Sequence, residues 1–405
     1  MNLEGLSRGA KQKGLDILGT GDFSHPTWLA ELKEKLGGTE EFGLYKYKDI
    51  YFMLTTEVST IFEVDGKIKK IHQIIHVPSF EIAGQINEML AKYGNLKIDG
   101  RPTLTAPAPE LVEKIIEISN DVMITSAHAW TPWFSLFGSK SGFDSVEDCY
   151  QDQTKNIFSL ETGLSSDPAM NWRLSSLDKF TLVSNSDSHS PNPWRLGREA
   201  NVFDLKKISY QEIVDAIRKK DREKFLFTVE VDPSYGKYHF TGHRDCGINL
   251  EPKKAIELKN ICPRCGRTMT IGVLQRVEEL ADRPEGFVPE NAIPFKSLLP
   301  LYEIISFATG ANQLYSQKVM FEQNKLIEKF GNEFNVLLDA EKEELMKVTS
   351  EKIAQAIVKV RDGGIKYIAG YDGVYGRPVF DEQEFEKIKS QYEAKAKEQK
   401  SLKDF

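Results

Sequence analysis

Phe180-Thr181-Leu182-Val183-Ser184-Asn185-Ser186-Asp187-Ser188-His189 is a short apolar run that ends in an acid, a serine and an imidazole. Apolar runs of this length, bounded by polar or turn residues, read as buried strands. The pattern recurs along the first 230 residues. Asp16–Gly19 leads into Asp22 and His25, Ile50–Glu57 ends on its glutamate, and Lys70–Val77 carries His72. Asp121–His128 ends on its histidine, and Ile157–Thr162 and Phe225–Val231 complete the series. Helical patterns lie between them at Thr27–Leu36, Ser79–Tyr93, Ala108–Ser119 and Tyr210–Lys219. Strands alternating with helices predict an α/β fold of parallel βα units, with enough strands to close a barrel.

The 405 residues are 40% hydrophobic and 28% charged, an ordinary globular composition. The chain is long enough for two or three domains. Mean hydropathy is −0.39. No apolar run reaches membrane-spanning length, and the first 20 residues lack the apolar core of a secretory signal. A net charge of −7 argues against wholesale coating of nucleic acid but leaves room for a local basic groove. Composition shifts near Asp232–Gly236, dividing the chain into units at 1–232, 233–285 and 286–405. The last reads as mostly helical, with helices around Leu314–Lys329 and Ala340–Arg361 and a lysine-rich helical tail from Phe380 to Phe405.

Histidine is scarce, seven in the whole chain, so its placement is informative. Asp22, His25, Glu57, His72, His128, Asp187 and His189 recur where strands meet loops. In a βα barrel those are the strand ends that build active sites. Carboxylate with imidazole and no thiolate suits zinc, manganese or iron, and such a cluster can activate water for phosphoryl displacement. Each residue also has a plainer explanation: a strand histidine can be a core residue, Asp22 a helix cap, Asp187 a turn residue. His76 reads as structural.

Four cysteines complete the inventory, three of them within 20 residues. Cys262-Pro263-Arg264-Cys265 is a C-x-x-C knuckle, and His243 with Cys246 forms a second pair with the same gap. Two such pairs fit a tetrahedral structural Zn²⁺ site, with His239 as a spare ligand. This usage implies a reduced, cytoplasmic setting rather than a disulfide framework. Cys149 reads as a buried thiol. Lys237, Arg244, Lys253, Arg264 and Arg267 surround the knuckles and could meet phosphates.

The strand-end set resembles the PHP (polymerase and histidinol phosphatase) family. The resemblance implies that Asp22, His25, Glu57, His72, His128, Asp187 and His189 match the last seven metal ligands in order. The family's opening His-x-His has no counterpart here, so the resemblance also implies a further strand upstream of Met1. The implied fold is a distorted (β/α)7 barrel of PHP type lacking its first strand, then a zinc-binding module and a helical C-terminal region.

Taken with the knuckles, Gly19–Pro26, Ser126–Trp133, Glu161–Pro168, Asn185–Ser190 and Gly370–Gly376 resemble endonuclease Q, a DNA repair family. The resemblance implies metal-dependent hydrolysis of DNA on the 5′ side of deaminated bases (uracil, hypoxanthine, xanthine) or abasic sites. Asp187, His189, His128 and Glu57 would be catalytic, with Zn²⁺ and Mg²⁺ or Mn²⁺ as cofactors. Lesion-bearing DNA, double- or single-stranded, would be the partner, with a sliding clamp as a further possible one and no membrane.

The loop after His128 carries Trp130, Trp133 and Phe137, which could stack on an extruded base or pack the rim. Ser165, Ser166 and Asp167 could bond a base edge. Two alternatives stay open: a PHP phosphomonoesterase acting on a small ester, and a DNA-binding protein without catalysis because the His-x-His is absent.

Overall fold

A computed structural model describes residues 2–311 and 313–398, with side chains as far as Ser390. The tail expected to run to Phe405 is a helix over Glu382–Glu398, and the remainder of that expectation lies outside the described residues.

The main sheet has nine strands. In chain order they are β1 (Ile17–Gly19), β2 (Glu40–Glu41), β3 (Leu44–Tyr47), β4 (Ile50–Val64), β5 (Lys67–Val77), β6 (Thr103–Leu104), β7 (Met123–Ser126), β8 (Ser159–Glu161) and β9 (Thr181–Val183). The spatial order is β2-β3-β4-β5-β7-β8-β9, with β1 and β6 also on β4. The expectation of parallel βα units holds for β7-β8-β9 and fails at the centre. There β4 and β5 form a long antiparallel hairpin, and β5 runs antiparallel to β7. The cause is local: Asp65 and Gly66 both take left-handed φ values, 51° and 74°. That is the Asp-Gly turn that suits a two-residue hairpin. Among the described residues the sheet is an open, mixed one and does not close as a ladder.

Helices Pro26–Leu36, Phe80–Leu90 and Ala108–Ile118 cover the sheet. Their apolar faces (Leu32, Ile86, Leu111) join Phe52, Leu54, Ile71 and Ile75 in the largest core. A second core holds Leu299, Ile304, Ile305, Leu326 and Ile357 from helices Leu301–Thr309, Gln317–Phe330 and Glu351–Arg361. The helix expected over Ala340–Arg361 is two, Lys342–Val348 and Glu351–Arg361. Ser350 interrupts it as an N-cap whose hydroxyl accepts from the Ile353 N–H.

Beyond β9 lies a smaller sheet of β10 (Ala200–Phe203), β11 (Phe225–Glu230) and β14 (Phe295–Ser297). Between the last two strands the chain forms a hairpin, β12 (Thr241–His243) with β13 (Ile248–Leu250), bearing the first cysteine pair. Helix Val273–Leu280 places Val273 and Val277 in the largest core, and β14 pairs in parallel with β11. Packing therefore crosses residues 232 and 285 in both directions.

Side chains join the small sheet to the large one. Asn201 copies a strand partner: its Oδ1 accepts from the Ser184 N–H at 2.8 Å and its Nδ2 donates to the Ser184 carbonyl at 2.9 Å. Glu230 is buried and accepts from Thr162, Ser184 and Thr228 hydroxyls. Burial pushes its carboxyl up to about 8. A folded-state acid pKa above the unfolded value means that the native state holds the extra proton, so stability falls as pH rises from about 4.5 to about 8. Glu230→Gln should flatten that part of the stability–pH curve and raise stability at pH 8; urea unfolding across the range reads it.

At the other end, the Lys13 ammonium meets the Glu333 carboxylate at 2.6 Å, both fully buried. Glu333 also accepts from the Leu301 N–H at 2.9 Å, so one ion pair ties the first helix, Leu3–Lys13, to the second core. Removing one partner of a buried pair strands the other charge. Lys13→Met should cost about 3–5 kcal/mol in urea unfolding, and Glu333→Gln on top of it should recover part of that loss.

Candidate metal and phosphate site

Glu57 and His72 meet because of strand register. His72 pairs with Ser59 and Glu57 with Ile74, and alternate residues share a face, so Glu57 and His72 are diagonal neighbours on one side of the hairpin. His128 leaves β7 beside them. Glu57 Oε1, His72 Nδ1 and His128 Nε2 stand 3.1, 3.3 and 3.0 Å apart. A cation with bonds of about 2.0–2.1 Å at 90–110° would set its ligand atoms about 2.8–3.4 Å apart. The triangle therefore fits one metal ion, and the chemistry of the donors fits zinc, manganese or iron.

The electrostatics agree with a cation-seeking site. Burial raises Glu57, but the hydrogen bond and charge of His128, with the charge of Arg101, hold its carboxyl well below the usual range. Burial lowers His72, and Glu57 only partly offsets it. For His128, burial opposes the charged form but Glu57 outweighs it.

Asp187 and His189 sit at the rim, 3.4 Å from each other. They reach the triangle through Arg101, a residue that the sequence reading missed. Its Nε lies 3.1 Å from Glu57 Oε2, its Nη1 2.8 Å from His72 Nδ1, and its Nη2 3.1 Å from His189 and 3.6 Å from Asp187. Asp22 lies within electrostatic reach: burial raises its carboxyl, Glu57 raises it further, and His189 lowers it. Asp22 is not the helix cap; His25 holds that place, without a side-chain cap bond. His25 makes no direct contact with the triangle among the described residues.

Three residues of this group have strained backbones. Asp22, His128 and Asp187 have φ of 48°, 28° and 41°, uncommon for residues with a side chain. Glu161, also missed, anchors His128 from below: its Oε2 accepts from the His128 N–H at 2.7 Å and its Oε1 from Asn185 at 2.8 Å. Burial lifts its carboxyl to about 7. Gly163, at φ 62°, lets the chain pass, since a Cβ there would lie 2.8 Å from the Cβ of His128.

The aromatic loop divides. Trp130 is buried with its indole N–H on Asn171 at 2.8 Å, and its ring lies against the buried Phe137. These two hold the loop on the core and are not free to stack on a base. Trp133 is 40% exposed, with its edge to Tyr238. Ser165 is buried, as is Ser166, whose hydroxyl donates to the Thr162 carbonyl. Asp167 caps helix Pro168–Asn171 through the Met170 N–H, and burial raises it to about 6.

Close by, a cavity of about 200 Å³ is lined by Leu164, Arg195, Arg198, Tyr235, Glu303 and Tyr375. Arg198 Nη2 reaches the Ser186 carbonyl, next to Asp187, at 3.5 Å. Arg198 Nε and Glu303 Oε2 are buried with no hydrogen-bond partner among the described residues.

The cysteine pairs do converge. One ligand atom each from His243, Cys246, Cys262 and Cys265 lies within 4.8 Å of the others, as a tetrahedral metal site needs. His239, the spare candidate, is buried away from the thiols with Nε2 3.5 Å from the Ser234 hydroxyl. Asp372, in the Gly370–Gly376 segment, fastens this unit by accepting from the Arg244 N–H and the Thr270 hydroxyl.

Comparison with known proteins places this geometry. Residues 300–364 match the family described as the MJ0043 C-terminal domain. The uncharacterized protein MJ0043 of Methanocaldococcus jannaschii is 35% identical over 267 residues, 65% of this chain, which spans about a third (32%) of that relative's length. The uncharacterized protein YqxK of Bacillus subtilis is 29% identical, covering 92% of this chain and 90% of its own. The crystal structure of the lesion-specific endonuclease PfuEndoQ from Pyrococcus furiosus superposes with a TM-score of 0.84 at 33% identity, covering 94% of this chain and 91% of that one. Endonuclease Q in complex with a 27-mer duplex bearing an abasic lesion at the active site gives 0.83 at 33% identity, covering 95% and 92%. With a third of its residues identical across nearly the whole of both chains, this protein belongs to the endonuclease Q family.

Proposed function

We propose that the protein is a DNA repair endonuclease that hydrolyses the phosphodiester on the 5′ side of a deaminated base (uracil, hypoxanthine or xanthine) or an abasic site. The observation that carries this reading is the Glu57–His72–His128 triangle, with Asp187 and His189 at its rim, in a chain 33% identical to a lesion-specific endonuclease. In this reading residues 1–232 act as a PHP-type phosphoesterase unit, 233–285 as a zinc module and 286–405 as a helical region. The setting is cytoplasmic; no helix among the described residues is long and apolar enough to cross a membrane. A sliding clamp is not part of the proposal.

Glu57, His72 and His128 would hold a divalent cation, with Asp22, His25, Asp187 and His189 as further ligands. Such ions supply Lewis acidity and a water of lowered pKa. The chain supplies position and proton control. Asp187, strained and at the rim, faces the side open to substrate and can accept the proton of the attacking water. His189 is exposed beside Asp187 and would help hold the cation that faces the departing 3′ oxygen, whose proton would come from solvent at this open rim. The products would be a 3′-hydroxyl and a 5′-phosphate at the lesion.

The cavity beside Ser186 has room for one flat heterocycle, and its unpaired Arg198 Nε and Glu303 Oε2 offer a donor and an acceptor. Base edges carry both. Trp133 and Tyr375, both exposed, could stack on neighbouring bases. His243, Cys246, Cys262 and Cys265 would hold a structural Zn²⁺ that keeps in place the β12–β13 hairpin with Arg244 and the knuckle with Arg264 and Arg267.

An end-labelled duplex with one deoxyuridine, deoxyinosine or abasic site, incubated with Mg²⁺ or Mn²⁺, should show one cut 5′ of the lesion and none in undamaged duplex. Asp187→Ala should slow nicking by about 100-fold or more while gel-shift affinity stays within a few fold; undiminished nicking would remove Asp187 from the mechanism. Cys262→Ser should lower zinc content, measured by plasma emission, by about one ion per chain.

A further inference from the structure

Arg101 places a guanidinium where a metal ligand set should be most anionic. It stands in the loop Gly100-Arg101-Pro102, directly before β6, and its side chain is 24% exposed. Its fork touches four members of the cluster: Glu57 through Nε, His72 through Nη1, and His189 and Asp187 through Nη2.

The decisive contact is the one with His72. The Nδ1 atom has either a proton or a lone pair, never both. Arginine has donors only, so the 2.8 Å contact requires a lone pair on Nδ1. A cation in the triangle would need that same lone pair. The two occupants therefore exclude each other at this atom. Glu57 is different: Oε1 faces the triangle and Oε2 faces Arg101, so the carboxylate can serve both at once.

Resting on the endonuclease reading of the same site, we infer that Arg101 is a resident cation that competes with the metal for His72. Without metal, the guanidinium neutralises Glu57 and Asp187 and blocks His72 Nδ1. On metal loading, Nη1 leaves His72 while Nε keeps Glu57 Oε2. The fork is then turned towards the open rim at Asp187 and His189, where an incoming phosphate would lie. A planar, permanently charged fork suits bidentate contact with phosphate. Arg101 is thus assigned two roles in sequence: competing with the metal for His72, then positioning the phosphate of the DNA.

The test needs no DNA, so its outcome is independent of whether the protein nicks. Mn²⁺ is titrated by calorimetry into full-length, zinc-replete protein, in which the thiolate site is already filled. Arg101→Gln removes both the charge and the fork; Arg101→Lys keeps the charge and loses the fork. A hydrogen bond to a charged group contributes about 1.5–3 kcal/mol, so freeing His72 should tighten Mn²⁺ binding about tenfold or more in both variants. Tightening in Arg101→Gln alone would mean simple charge repulsion and would overturn the competition at His72. Unchanged or weaker binding in both would overturn it equally. Circular dichroism checks the fold of each variant. For the second role, nicking at saturating Mn²⁺ should show a raised KM for both variants with kcat less affected; an unchanged KM would remove Arg101 from phosphate positioning.

Discussion

Buried carboxylates and imidazoles facing one another demand a cation. Glu57 and His72 lie on a strand hairpin whose register cannot slip without turning them to the other face, and His128, just past β7, is pressed within 3.3 Å of them. Lone pairs so close repel unless a proton, a metal or a guanidinium stands between them. Here Arg101 answers part of that demand from one side, through Glu57 Oε2 and His72 Nδ1, and a metal ion within the triangle would compete with it for His72. Much of the surrounding architecture keeps this group in position: the β4–β5 hairpin, the strained turn at His128, the Glu161 carboxylate beneath it, and Gly163, whose missing side chain gives His128 its space.

Contacts farther away join the units that surround this group. Asn201 and Glu230 join the small sheet to the edge of the large one, close to the segment that carries Asp187. Lys13 and Glu333 tie the first helix to the helical core. The cavity lies where these units meet, with Leu164 and Arg198 from one side and Glu303 from the other.

Much of this was legible in the sequence. The cysteine pairs were clear because metal spacing is local. Glu57, His72, His128, Asp187 and His189 stood out because few histidines exist and each falls where the sequence pattern reads as a strand end, although Glu57 and His72 lie in mid-strand. Antiparallel pairing at the centre was less visible, though Asp65-Gly66 carries the hairpin signal. Read without it, β4 seemed to stop at Glu57, and His72 seemed to belong to a separate parallel strand. Arg101 was illegible: one arginine in a loop has no periodicity, and only tertiary structure brings it to the cluster. Trp130 and Phe137 show the reverse limit, since an aromatic-rich loop reads alike whether its rings face a ligand or the core.

Glu57, His72 and His128 are proposed to form one cation site shared by Arg101 and a catalytic metal. Anomalous diffraction from crystals soaked in Mn²⁺ tests it most directly. The account predicts a peak bounded by Glu57 Oε1, His72 Nδ1 and His128 Nε2, with the Arg101 fork withdrawn from His72. Absence of a peak at saturating Mn²⁺, or a peak with the fork still on His72, would contradict it.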